Sequence, residues 1–276
     1  AFPLVLGYDV SGVVSAIGAG VTRFKPGDAV FSRVDSHRFG TFAEFVAVDQ
    51  GLVASKPANL THQQAAALPL VSLTSWQTLH DIAALQPGQR VLIHAGAGGI
   101  GSVAIQLAKH LGAHVTTTTS TRNVELVKSL GADAVIDYTH QAFEQVGAEF
   151  DVVYETLGGE NLKKSLQVVR RGGVLVNIAG MPSTAWARAE GVPWYLLGVF
   201  MLANLGTLRR VKQRGVRYTY WMLRPDGETL AQLGDLARTG KLVPLIDRVY
   251  PLDQTREALL FSQSGRARGK IVIQVK

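Results

Sequence analysis

The residues best suited to chemistry lie between positions 90 and 122. Arg90-Val91-Leu92-Ile93-His94-Ala95 runs a short apolar stretch into Gly96-Ala97-Gly98-Gly99-Ile100-Gly101, an amphipathic stretch continues to Leu111, and Ala113-His114-Val115 leads into four threonines, Ser120, Thr121 and Arg122. Strand, glycine turn, helix and second strand in that order make half of a nucleotide-binding βαβ unit. In such a unit Gly96 permits the tight turn off the strand, Gly98 lacks the Cβ that would hold the backbone away from a pyrophosphate, and Gly101 lets helix and strand pack closely. The helix opening at Gly99-Ile100 turns its free N–H groups and positive dipole end toward the phosphates.

The end of the second strand separates the two nicotinamide cofactors. An NAD site usually places a carboxylate about 20 residues past the first glycine, where it holds the ribose hydroxyls and repels a 2′-phosphate. Here the window Thr116 to Asn123 holds hydroxyls and one arginine, with no acid. NADPH is therefore expected, with Ser120 donating a hydrogen bond and Arg122 binding the phosphate through its guanidinium fork. His94 could serve as an acid–base group, yet it ends the first strand beneath the glycine turn, where a structural role is expected.

The rest of the sequence must position these groups. At 276 residues the chain exceeds the usual size of one core, so two domains are expected. The net charge of +7 suits anionic cofactors, and no basic–aromatic motif points to nucleic acid. The absence of cysteine excludes disulfides, thiolate metal sites and a cysteine nucleophile. The most apolar stretch, 192–208, is short for a membrane span and contains Pro193 and Asn204, so a buried or interface helix is expected there. No signal peptide is visible.

Residues 1–60 alternate short β-rich runs with Gly/Pro turns, which predicts a compact antiparallel β domain, including a strand over Gly40–Val48. Thr61 is placed to cap a helix. From Pro69, strands at about 90–94, 113–118, 133–137, 151–155 and 173–178 alternate with helices at about 99–111, 122–130 and 158–169, which predicts a parallel sheet covered on both faces. An alternating run at 216–223 reads as an edge strand, and after Asp226-Gly227 a helix to about Thr239 and strands near 243–249 and 270–275 return to the style of the first domain.

The order Gly7-Tyr8-Asp9-Val10-Ser11-Gly12, Lys25-Pro26-Gly27-Asp28, Gly40-Thr41-Phe42-Ala43-Glu44, Ala65-Ala66-Ala67-Leu68, Leu73-Thr74, the glycine turn, Leu130-Gly131-Ala132-Asp133, Asp137-Tyr138 and Gly269-Lys270-Ile271-Val272 resembles the zinc-free quinone oxidoreductase branch of the medium-chain dehydrogenase/reductase superfamily. The resemblance covers essentially the whole chain. It implies an α/β protein in which a Rossmann doubly wound parallel sheet, residues 73–222, is inserted in a GroES-like β-rich catalytic domain, residues 1–72 and 223–276. It also implies that family segments ahead of Ala1, which help line the nicotinamide site, lie outside this sequence.

The resemblance assigns further residues. Thr74 matches a position whose hydroxyl helps hold the cofactor, Tyr138 one that approaches the 2′-phosphate, Gly180 one where the backbone admits the nicotinamide ring, and Lys270 a frequent family lysine. Asn123 stands where relatives often carry a lysine beyond the serine, with Arg122 as the substitute. Zinc-dependent relatives have a metal-binding histidine where this chain has Tyr8, so no metal site is expected, and Tyr8 becomes the candidate hydrogen-bond donor to a reacting oxygen. The activity implied is metal-free hydride transfer from NADPH to a small-molecule quinone or enone. Two alternatives stand beside it: an enoyl-thioester reductase, and an NADPH-binding protein with a non-catalytic RNA-binding or structural role. A homodimer pairing the 216–223 edge and a cytoplasmic location are expected, a targeting segment before Ala1 being left open.

Overall fold

The computed structural model describes residues 4–35, 38–147 and 149–275. They fall into two compact units. One takes the chain up to Ser75, Gly98–Val103 and everything from Leu223 onward; the other takes Trp76–Ala97 and Ala104–Met222.

In the first unit, β1 (Asp9–Val13), β2 (Ala29–Arg33) and β3 (Val53–Ser55) form an antiparallel sheet in that order, with Asp9 opposite Arg33 and Phe31 opposite Ala54. Helix α1 (His62–Ala66) starts with a capping box: Thr61 Oγ1 accepts from the Gln64 amide at 3.2 Å, and the Gln64 side chain accepts from the Thr61 amide at 2.9 Å. Helix α2 (Pro69–Trp76) follows, with proline at its first position, where the missing N–H costs nothing.

The second unit is built on β4 (Arg90–Ile93), α3 (Gly99–His110), β5 (His114–Thr119), α4 (Val124–Ser129), β6 (Ala134–Asp137), β7 (Phe150–Glu155), α5 (Gly159–Val168), β8 (Val169–Asn177), α6 (Thr184–Ala189), α7 (Trp194–Arg214) and β9 (Arg217–Tyr220). Its six strands are parallel and lie in the order β6-β5-β4-β7-β8-β9. Numbered from β4 this is the doubly wound order 3-2-1-4-5-6, whose direction of winding reverses between β4 and β7. Leu92, Val153 and Leu175 from the sheet pack with Leu162 and Leu166 of α5 and with Phe143 and Phe150 as one buried cluster.

The chain then returns to the first unit with α8 (Gly227–Arg238), β10 (Ile246–Pro251), α9 (Thr255–Gln263) and β11 (Lys270–Gln274); β10 and β11 pair in parallel. Asp226 caps α8 by accepting from the Glu228 and Thr229 amides. Leu230, Leu233 and Ala237 of α8 are buried, and the bare face at Gly234 lies against the Phe31 ring.

Two expectations are corrected. Gly40–Val48 is not a strand: its amides bond to Leu6 and Gly7 only as far as Phe42, and Phe45 is 73% exposed. Alternation describes a segment that can pair; without a neighbouring ladder it stays irregular. The apolar 192–208 stretch is helical within α7, and of the two readings offered for it the buried one is set aside, since Asn204 alone of α7 is fully covered.

Candidate functional site

In the second unit the carboxyl ends of the parallel strands carry the sequence's chemical groups. The chain leaves β4 through Ala95, which takes the left-handed conformation (φ 53°). The Ala95 amide donates to Thr118 Oγ1 at 3.1 Å and the Gly96 amide to the Thr118 carbonyl at 3.0 Å, so β5 dictates this turn. The expected division of labour is thereby corrected. Gly96 is required for close approach, because a Cβ there would lie 2.2 Å from Thr117 Oγ1, and that hydroxyl is committed to the Ile93 carbonyl at 2.7 Å.

His94 sits beneath the turn, wholly buried. Its Nε2 is 2.9 Å from Ser165 Oγ and its Nδ1 is 3.2 Å from Thr118 Oγ1. Ser165 donates to Glu155 Oε2 at 2.5 Å, and Glu155 Oε1 accepts from the Leu157 and Gly158 amides. These partners are all satisfied when the ring is neutral with its proton on Nε2: Thr118 donates to Nδ1, Nε2 donates to Ser165, and Ser165 donates to the carboxylate. Burial holds the His94 pKa below its ordinary value, against the opposing pull of Glu155. His94 therefore joins the ends of β4, β5 and β7 to α5, with no face toward solvent.

At the far end of β5, Thr119 lies beside Asp137 in register, and the Tyr138 amide donates to the Thr119 carbonyl at 3.0 Å. Ser120, Arg122 and Tyr138 thus leave the ends of two adjacent strands. Ser120 is half-buried and accepts from the Asn123 amide group at 3.3 Å, Arg122 is exposed, and Tyr138 is 61% exposed, so it is no core aromatic. The one acid here, Asp137, is held below the usual carboxylate range by hydrogen bonds from Thr121 and Thr139. Its Oδ1 accepts from both the amide (3.0 Å) and hydroxyl (2.7 Å) of Thr139.

The start of α3 belongs to the first unit. Gly98 bridges Gly269 in parallel, and a Cβ on Gly99 would come within 3.1 Å of the Lys270 stem and 3.3 Å of the Gly269 carbonyl. Gly98, Gly99 and Ile100 remain half-buried at the opening of the helix, while Gly101 in the same turn is buried. Ser75 Oγ reaches the Ile100 carbonyl at 3.5 Å. Thr74 is buried and spends its hydroxyl proton on the Leu70 carbonyl (2.6 Å), which leaves its oxygen as an acceptor.

Lys270 meets Asp9 at 3.1 Å, and the other oxygen of Asp9 accepts from the Leu70 amide at 2.9 Å in the first turn of α2. Asp9, missed by the sequence reading, therefore ties β1, α2 and β11 together. The signal was present in the acid directly after Tyr8, but its partners are 61 and 261 residues away.

Tyr8 is half-buried, with its ring 4.6 Å from that of Phe39 and the Arg33 guanidinium 4.1 Å from its centroid. Arg33 is 5% exposed, and burial lowers its pKa while Asp9 opposes the shift. In the second unit, Gly180 (φ 79°) lies against Gly158 (φ 71°), whose absent Cβ would sit 3.4 Å from the Gly180 nitrogen. His110 and His114 are the one histidine pair spaced i, i+4, yet Gly112 turns the chain between them, so one closes α3 and the other opens β5. Among the described residues no group of three or more His, Asp or Glu side chains is placed to hold a metal ion.

Comparison with known proteins gives one consistent result. The family model described as "Zinc-binding dehydrogenase" matches residues 130–273, and "Alcohol dehydrogenase GroES-like domain" matches residues 1–58. The mitochondrial NAD(P)H oxidoreductase RTN4IP1 of Mus musculus is 38% identical over 283 residues, covering 99% of this chain and 71% of that protein. The 2-methylene-furan-3-one reductase of Solanum lycopersicum is 38% identical over 282 residues, covering 98% of this chain and 63% of that protein. The quinone oxidoreductase structure from Coxiella burnetii superposes with a TM-score of 0.85 at 32% identity, covering 100% of this chain and 80% of the other.

Proposed function

The chain belongs to the medium-chain dehydrogenase/reductase superfamily, as an oxidoreductase with a nicotinamide cofactor, and we propose that it is an NADPH-dependent reductase of quinones or enones that works without a metal. The observation that carries the cofactor is the end of β5. Ser120 and Arg122 offer a hydroxyl and a guanidinium where an NAD site would place an acid, and the nearby carboxylate of Asp137 is turned to Thr139 and Thr121. That donor set fits a 2′-phosphate. The close-packed turn at Gly96 and the half-buried start of α3 at Gly98, Gly99 and Ile100, with Gly101 buried behind them, fit a pyrophosphate held by backbone amides.

NADPH, when bound, supplies a hydride, and an enone or quinone delocalises the incoming charge onto its own oxygen. Ser120, Arg122 and Tyr138 bind the 2′-phosphate end, the α3 amides orient the pyrophosphate, the Gly180 backbone admits the nicotinamide ring, and Thr74 and Lys270 are the further cofactor contacts that the family resemblance implies. Lys270 is held by Asp9 through its ammonium, while its stem lies against Gly99 at the opening of α3. The Tyr8 hydroxyl donates to the developing enolate oxygen, and Arg33 and Phe39 hold the ring in place. Residues 1–72 with 223–276 form the catalytic domain and 73–222 the cofactor domain, and the edge strand β9 is the proposed homodimer contact.

Support comes from relatives named for alkenal/one and quinone reduction. The deciding experiment is stopped-flow oxidation of NADPH against quinones, enals and enoyl thioesters. Turnover confined to the first two upholds the proposal. Turnover of thioesters alone, or of no acceptor, overturns it.

A further inference from the structure

Helix α7 is apolar on more sides than its unit covers. Leu197, Phe200, Asn204, Thr207 and Val211, three or four residues apart, form its more covered stripe, and the Asn204 amide anchors it by donating to the carbonyls of Pro182 (2.9 Å) and Phe200 (2.8 Å). The outer face is apolar as well: Trp194 is 83% exposed, Tyr195 65%, Val199 57% and Leu202 70%. A helix apolar all round is ordinarily buried, and an exposed apolar face of this extent marks an interaction site.

Charge identifies the partner. The apolar run ends in Arg209, Arg210, Lys212 and Arg214, and no acid occurs between Glu190 and Asp226. These four cations, with no acid on the helix, equal more than half of the chain's net +7. Glu160, on the helix α5 that packs against α7, is the acid near Arg210, and it already pairs with Lys163. A second copy of the chain would set like charge against like, whereas a surface of lipid phosphates would neutralise it.

We infer that this face docks on an anionic bilayer surface, with α7 lying in the interfacial plane. Trp194 and Tyr195 sit at headgroup depth, Val199 and Leu202 enter the outer acyl region, and Arg209 and Arg210 meet the phosphates. The helix lies on the membrane; among the described residues no helix is long and apolar enough to cross one.

The test is flotation of the full chain with vesicles of phosphatidylcholine alone or mixed with phosphatidylglycerol. Binding is expected only to the mixed vesicles, falling with added salt and accompanied by a blue shift of tryptophan emission that Trp194→Phe abolishes. Arg209→Gln and Arg210→Gln should each weaken partitioning by about fivefold, and Leu202→Asp should abolish it. Thermal melts and NADPH titration of each variant should match the parent, which separates a failure here from a failure of the nucleotide reading. Equal binding to both vesicle types, no binding to either, or unaltered binding by the variants would overturn the inference. So would a lipid-free dimer that Leu202→Asp splits, because a second copy would then occupy the face.

Discussion

The His94 Nε2 atom lies 2.9 Å from Ser165 Oγ, in a site from which water is excluded on every side. The serine donates its own hydrogen bond to Glu155, and a neutral imidazole with its proton on Nε2 satisfies every member of the chain.

This arrangement makes stability depend on pH in a stated direction. The folded-state pKa of His94 is depressed below 6.5, so in the window just below 6.5 the unfolded chain binds a proton that the folded chain refuses. The contribution is fully present above 6.5 and is lost as pH falls toward the depressed value, at up to about 1.4 kcal/mol per pH unit. Urea melts between pH 8 and pH 5 should show this slope, and His94→Gln should remove it while costing about 2–4 kcal/mol at neutral pH through the unpaired groups it leaves. An identical pH slope in parent and variant would refute the assignment.

Cofactor selectivity should follow Ser120 and Arg122. Replacing Ser120 by Ala or Arg122 by Gln removes one charge-assisted contact to the 2′-phosphate, so each is expected to weaken NADPH binding by about tenfold and to leave NADH binding unchanged. Fluorescence titration of both nucleotides measures this. Equal affinities of the parent chain for NADPH and NADH would show that the end of β5 does not read the phosphate.

The sheet and the glycine turn were legible in the sequence because their signals are local. Apolar runs such as Val91-Leu92-Ile93 and Val152-Val153-Tyr154 are buried on both faces, as parallel strands require, and glycine punctuates them. Contacts made over long separations were not legible: Asp9 with Lys270, or His94 with Ser165, are set by the fold and not by spacing. Ala95 hid its left-handed conformation because Thr118 imposes it from another strand. Gly40–Val48 was misread because its alternation promised a strand where no neighbouring ladder exists, and Phe45 faces outward. The 192–208 helix was legible, but composition left open whether its apolar side is buried or an interface, and Leu202 faces outward.

Tyr8 offers a separable test of catalysis. Tyr8→Phe keeps the ring that packs with Phe39 and Arg33 but deletes the hydroxyl, so thermal stability and NADPH affinity should hold while kcat falls by about a hundredfold. Steady-state kinetics with a quinone acceptor would show the split, a lower kcat with unaltered KM. An unchanged kcat would leave Tyr8 with packing alone.

The glycine turn itself can be tested through its neighbour. In Gly96→Ala the new methyl would meet Thr117 Oγ1 at 2.2 Å, and that hydroxyl cannot swing away without abandoning the Ile93 carbonyl. The variant should therefore lose about 1–3 kcal/mol of stability and bind NADPH weakly, because the displaced turn disturbs the opening of α3. Thr117→Ala removes both the hydroxyl and the methyl that obstruct the new atom, and on its own it costs a buried hydrogen bond. In the double variant the two effects should fail to add, with part of the lost stability and NADPH affinity restored. Thermal melts and nucleotide titrations of the four chains decide it: strictly additive losses would mean that Gly96 is needed for backbone freedom and not for its approach to Thr117.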